Sequence, residues 1–129
     1  MTRLGVPHAK EQAEESEQRQ LEIRAKFFDG LANPTRLRIV ELLLHRGELN
    51  VSQLVEATGV SQGQVSNQLA CLKWCGYVTS RSEGRYVYYR VTDPRIRTLV
   101  ELARQIVADN AEHIRTCTNL GISADRRGR

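Results

Sequence analysis

The chain has 129 residues, 40% of them hydrophobic and 26% charged, with 19 Lys+Arg against 15 Asp+Glu and a net charge of +4. These proportions exclude wholesale disorder and fit one globular domain with a short arm at each end. No apolar run is long enough to span a bilayer, and the opening MTRLGVPHAKEQAEE lacks the apolar block of a signal peptide, so a cytoplasmic protein without a membrane partner is expected. The moderate positive charge suits a nucleic-acid partner but does not require one. Three cysteines are an odd number for a disulfide framework and direct attention to thiol or metal chemistry.

Residues 1–16 are polar, with an acidic cluster at Glu11, Glu14, Glu15 and Glu17, and are expected to form a flexible arm. From Leu21 the residues Leu21, Ala25, Phe28 and Ala32 recur at helical spacing, widened by Phe27 and Leu31. Asn33-Pro34 ends that helix and opens another, with Asn33 as cap and Pro34 at the first helical position. Leu37, Val40, Leu43 and Leu44 give the second helix an apolar face, and Gly47 ends it. Asn50 caps a short third helix carrying Val51, Leu54 and Val55, which ends near Thr58-Gly59. Ser61 caps a fourth, with Val65, Leu69 and Leu72 facing inward and Gly76 as its stop. Short helix, glycine turn and second helix with an inward seam make the helix-turn-helix pattern.

Two runs rich in β-branched and aromatic residues follow, residues 77–81 and 86–91, separated by Ser82-Glu83-Gly84-Arg85. They predict a β-hairpin turning at Gly84, the wing of a winged helix. Pro94 opens a last helix reaching about Thr116, with Ile96, Leu99, Val100, Ala103, Ile106, Val107 and Ile114 on a broad apolar face. That face and the first helix exceed what so small a domain buries, which points to a homodimer joined through both. The expected architecture is mainly α with a β-hairpin wing. It comprises a homodimeric winged helix-turn-helix over 17–117, flanked by flexible arms at 1–16 and 118–129.

Residues 28–43, FDGLANPTRLRIVELL, resemble the opening signature of the ArsR/SmtB family of winged-helix metal-sensing repressors. Residues 60–69, VSQGQVSNQL, are similar to that family's recognition helix, and residues 83–89, EGRYVYY, to its wing. The likeness covers about residues 21–116. It implies a homodimer that holds a palindromic operator in the metal-free state and leaves it when an inducer binds. Gln62, Gly63, Ser66 and Asn67, on the edge opposite the apolar seam and just after Ser61, are expected in the major groove, where Gln and Asn can bond adenine bidentately. No charged residue occurs from Ala57 to Leu72. Lys73, Arg81, Arg85 and Arg90 surround this neutral surface and could neutralise phosphates, Arg85 from the hairpin tip. Val51 and Ser52 match family positions that approach DNA.

Of the metal sites known in the family, the Cys-x-Cys cluster of the third helix is absent, since Asn50-Val-Ser-Gln-Leu54 holds no cysteine. The site between C-terminal helices would fall on Asp93, Arg95, Ile106 and Asp109, of which Arg95 and Ile106 cannot be ligands; Asp109, Glu112 and His113 remain as a polar face or a relocated site. Residues 69–77, LACLKWCGY, resemble the Cys-x-x-x-Cys arrangement of the cadmium and lead sensors. Cys71 and Cys75, at i and i+4, lie on one helical face, and Cys117 is the remaining cysteine for a third thiolate, with His113 one turn before it. Sulfur ligands favour Cd(II) or Pb(II), with Hg(II) and As(III) also suited. Buried structural thiols, a Cys71–Cys75 disulfide switch and a redox- or small-molecule-responsive repressor without metal remain alternatives. No nucleophile elbow, phosphate loop or HExxH occurs, and His8, His45 and His113 are scattered, so an enzyme is not expected.

Overall fold

The structure is a computed structural model and describes residues 9–117, with side chains described from residue 16 onward. The start of the expected N-terminal arm (1–8) and the expected C-terminal tail (118–129) lie outside the described residues. The elements run α1 (Ala9–Asp29), α2 (Pro34–Arg46), β1 (Leu49–Asn50), α3 (Val51–Thr58), α4 (Gln62–Trp74), β2 (Thr79–Glu83), β3 (Tyr86–Arg90) and α5 (Pro94–Asp109). They divide into two compact units, one ending at Thr92 and one starting at Asp93.

In the first unit, local chemistry sets the helix ends. The Asn33 side chain accepts from the Arg36 backbone N–H, and Pro34 opens α2. Asn50 and Gln53 form a reciprocal capping box at α3, each bond 2.8 Å long. Ser61 caps α4 by accepting from Gln64. At the other end of α4, Cys75 is the C-cap, and Gly76 at φ 88° reverses the chain. Its N–H donates to the Lys73 carbonyl while that of Tyr77 donates to Leu72, the paired bonds of a Schellman motif.

α2, α3 and α4 pack on one another around Ile39, Val40, Leu43, Leu54, Val65, Leu69 and Leu72, all essentially inaccessible to solvent. The inward seam expected for α4 is therefore the one observed, and Ile39 joins the α2 face, whereas Leu37 and Leu44 are half-buried. Tyr77 and Val78 close this core below α4.

The sheet is antiparallel with order β1-β3-β2. Pairing of Glu83 with Tyr86 leaves Gly84 and Arg85 as a two-residue turn. Only Gly84, at φ 64°, is left-handed, the pattern of a type II′ hairpin. The hairpin is thus offset from the expected runs: β2 begins at Thr79 and extends through Glu83. The two-residue β1, pairing Leu49 with Tyr89, has no counterpart in the sequence reading.

Helix α1 begins at Ala9, twelve residues before the periodic stretch starting at Leu21 and within the arm expected at 1–16. Leu21, Ile23, Ala25 and Phe28 along it are exposed. In the second unit, Asp93 caps α5 through the Arg95 N–H, with Pro94 at the first position. α5 ends at Asp109, sooner than expected, and residues 111–117 form a separate helical segment after Asn110. Ile96 and Val100 are buried, while Leu102, Ile106, Val107 and Ile114 are exposed. Mostly helical with a small antiparallel hairpin, the fold is a winged helix-turn-helix. Among the described residues, no helix is long and apolar enough to cross a membrane.

Candidate functional site

Helix α4 carries candidate site residues at both ends. At its start, Gln62, Gly63, Ser66 and Asn67 are all exposed, as is the capping Ser61. The side chains of Gln62, Ser66 and Asn67 make no hydrogen bond among the described residues, so their donors and acceptors are available. A Cβ built on Gly63 meets no atom within 4 Å, so packing inside the chain gives no reason for glycine there. Glycine in a helix costs up to about 1 kcal/mol against alanine.

The flanking residues differ in availability. Val51 is half-buried and Ser52 exposed at the start of α3. Lys73 Nζ donates to Ser80 Oγ at 2.8 Å in an exposed contact, linking α4 to β2. Arg85 projects from the hairpin turn, exposed and in no ion pair among the described residues. Arg81 is placed otherwise. Its Nε and one terminal nitrogen donate to the two Glu48 oxygens, each at 2.7 Å, the other terminal nitrogen donates to Glu83, and the guanidinium stands 5.0 Å from the Tyr88 ring centre. The hydrogen bond from Arg81 holds the Glu48 carboxyl below its ordinary range. Arg81 thus ties the hairpin to the residue before β1.

At the other end of α4, Cys71 and Cys75 are free and half-buried, one helical turn apart, with the Cys75 backbone N–H donating to the Cys71 carbonyl at 3.0 Å. Burial and then Cys71 push the Cys75 thiol up from its ordinary value, while the Arg36 and Lys26 charges pull weakly the other way. Cys75 Sγ faces Gly30, just after α1, so closely that a Cβ there would lie 3.2 Å from the sulfur and 2.8 Å from Tyr77 Cε2. Tyr77 stacks on Phe27, centroids 4.5 Å apart, and its hydroxyl donates to the Phe27 carbonyl at 2.6 Å. Between the thiols, Trp74 points outward and is 90% exposed. The third thiol, Cys117, is exposed at the end of the 111–117 segment, as is His113 within it, and Asp109 is exposed at the end of α5. Among the described residues of one chain, no three His, Cys, Asp or Glu side chains gather into a metal site. The structure therefore brings together two soft ligands on a solvent-reachable helix face, a donor pair that fits a thiophilic ion and leaves it short of ligands.

Sequence reasoning did not single out Arg36, Gln68, Glu48 or Gly30. Arg36 and Gln68 are 32 residues apart, Gly30 and its neighbour Cys75 farther still, and no local pattern announces such pairs.

The model of bacterial regulatory proteins of the arsR family matches residues 33–80, which run from the α2 cap to the start of the wing. A probable mercury resistance operon repressor of Streptomyces lividans is 45% identical over 103 residues, 80% of this chain and 82% of that one. The chain belongs to the arsR family. Two solved structures agree with this. Rv0081 of Mycobacterium tuberculosis superposes with a TM-score of 0.68 at 33% identity, covering 73% of this chain and 94% of that one. Mb0332 of Mycobacterium bovis, a homodimeric winged helix-turn-helix DNA-binding domain, gives 0.65 at 33% identity over 84% and 92%. This arsR-family protein is therefore a DNA-binding transcriptional regulator and not an enzyme.

Proposed function

We propose that the protein is a thiol-based metal-responsive repressor, holding a palindromic operator as a metal-free homodimer and leaving it when a thiophilic ion binds. The observation that carries this reading is the pairing of Cys71 with Cys75 on the helix whose other end presents unengaged groove-reading side chains. Gln62, Gly63, Ser66 and Asn67 enter the major groove, with Ser61 at its edge and Val51 and Ser52 alongside. Lys73 and Arg85 contact phosphates. Arg81 shapes the wing through Glu48 and adds positive potential, a lesser part than Arg85 plays. The exposed apolar residues of α1 and α5 are covered by a second copy.

Cys71 and Cys75 would hold the ion, with a third thiolate from Cys117. A bound ion would supply a rigid bridge between two sulfurs that are otherwise free. Cd(II) and Pb(II) suit such a set, as do Hg(II) and As(III), and likeness to a probable mercury resistance operon repressor supports Hg(II) among them. Redox sensing by the same pair is the weaker reading, because likeness to a probable mercury resistance operon repressor favours a metal inducer.

Titration of the reduced protein with Cd(II) and Hg(II), following sulfur-to-metal absorption beside operator binding, tests the reading. Saturation at one ion per subunit with loss of DNA binding is expected, and Cys71→Ser should bind the operator yet ignore metal. An absent band with unchanged DNA binding overturns the metal half and leaves the DNA-binding half standing.

A further inference from the structure

Arg36 joins three acceptors from two parts of the fold. Its Nε donates to the Gly30 carbonyl at 2.8 Å and one terminal nitrogen to the Asp29 carbonyl at 3.2 Å, both at the C-terminal end of α1. The other terminal nitrogen donates to Gln68 Oε1 on α4 at 2.7 Å. Gln68, Cys71 and Cys75 stand at i, i+3 and i+7, so they share one strip of α4. Gly30 is therefore held from two sides: its carbonyl by Arg36, and its α-carbon by Cys75 Sγ and the Tyr77 ring, with no room for even a methyl group. Gln68 is also the residue after Asn67, the last of the groove-reading side chains.

We infer that Arg36 is a positioning residue that couples the thiol pair to the DNA-reading face, through a grip on Gly30 and Gln68 that closes only while Cys75 packs against Gly30. The inference rests on the proposed metal response. Drawing the Cys75 sulfur toward a ligand shared with Cys71 removes the atom against which Gly30 packs and frees the Gly30 carbonyl to move. A guanidinium is a planar fork with fixed donor directions, so a displacement of about 1 Å carries a bond of this length out of hydrogen-bonding range. Arg36 then loses its anchor on α1 and with it the fixed position from which it holds Gln68. The helix that carries Asn67 one residue away is released to turn. Coupling of this kind is a differential stability of two arrangements, closed without metal and open with it, and it acts equally in both directions.

The experiment compares wild type, Gln68→Ala and Gln68→Glu in three measurements: Cd(II)-thiolate absorption, metal-free operator affinity, and the factor by which Cd(II) lowers that affinity. Gln68→Ala should keep the absorption band and stoichiometry but lower metal-free operator affinity toward that of the Cd(II)-bound wild type, so that the Cd(II) factor falls at least tenfold. Gln68→Glu, which keeps an acceptor for Arg36, should restore most of that factor. A second readout needs no DNA: the Arg36 Nε–H proton resonance should exchange slowly in the metal-free protein and rapidly once Cd(II) is bound. A wild-type Cd(II) factor in Gln68→Ala, or an Arg36 Nε–H that exchanges equally fast with and without Cd(II), overturns the inference alone. A wild type with no Cd(II) band and no Cd(II) effect overturns the metal reading and this inference together.

Discussion

The first turn and a half of α4 and its last turn belong to one continuous helix, yet the structure treats them differently. Gln62, Ser66 and Asn67 reach no partner within the described chain, and Gly63 faces open space. Eight residues after Asn67, Cys75 is packed against Gly30, one helical turn from Cys71 and set beside a Tyr77 ring that is itself stacked and hydrogen-bonded. One end is left unsatisfied for an outside surface, and the other is committed to the body of the protein. A single rigid helix with these two ends can convert a change at the committed end into a reorientation of the free one.

The sharpest way to break this comparison is to disable the free end alone. Asn67→Ala should weaken operator binding by about 1–3 kcal/mol, roughly ten- to hundredfold, by removing a bidentate base contact. Thermal unfolding and the Cd(II) absorption band should be unchanged, since Asn67 has no partner inside the chain. Loss of stability in this variant would show that the free end is not free.

Next comes the committed end. Tyr77→Phe removes one of two donors to the Phe27 carbonyl, the other being the Gly30 N–H, and should cost about 0.5–1.5 kcal/mol in denaturant unfolding. Burial pushes the Tyr77 hydroxyl up to about 12, so the folded state favours the protonated phenol. Its contribution is complete below the ordinary tyrosine value near pH 10 and is lost as pH rises from there toward 12. Wild type should therefore lose stability over that window more steeply than Tyr77→Phe; parallel curves would disconnect Tyr77 from this end of the helix.

The smallest expected effect lies beside the helix. Arg85→Ala should lower affinity for operator and unrelated DNA by a similar factor and reduce the slope of log affinity against log salt by about one. Arg81→Ala should change that slope less, because its guanidinium is already occupied by Glu48 and Glu83. Equal slopes for the two variants would erase the distinction between a free and a committed wing arginine.

Much of the fold was legible because it is locally encoded. Asn33, Asn50 and Ser61 cap their helices within three residues of themselves, and Val65, Leu69 and Leu72 face inward as their spacing requires. The start of α1 was not, because residues 9–16 lack apolar periodicity, although their Ala, Glu, Gln and Lys are strong helix formers. Strand β1 was hidden because two residues form a strand only by pairing with Tyr88 and Tyr89 far along the chain. The offset of the hairpin came from reading four turn residues where the register allows two. In the candidate site, the thiol pair was legible from its i, i+4 spacing. The Arg36–Gln68 and Arg81–Glu48 bonds were not, since each joins residues more than thirty apart through long flexible side chains.

The absence of charge from Ala57 to Leu72 has a consequence for life in a crowded genome. On the proposed reading, sequence is read by uncharged side chains and attraction is supplied by cationic residues around them, so the two contributions respond to different variables. Rising ionic strength weakens binding to every stretch of DNA alike, operator and competitor together, because the released counterions belong to phosphates that all sequences share. The preference for the correct site over the many wrong ones should therefore stay nearly constant while absolute affinity changes by orders of magnitude. Occupancy of the promoter is then buffered against fluctuations in cellular salt.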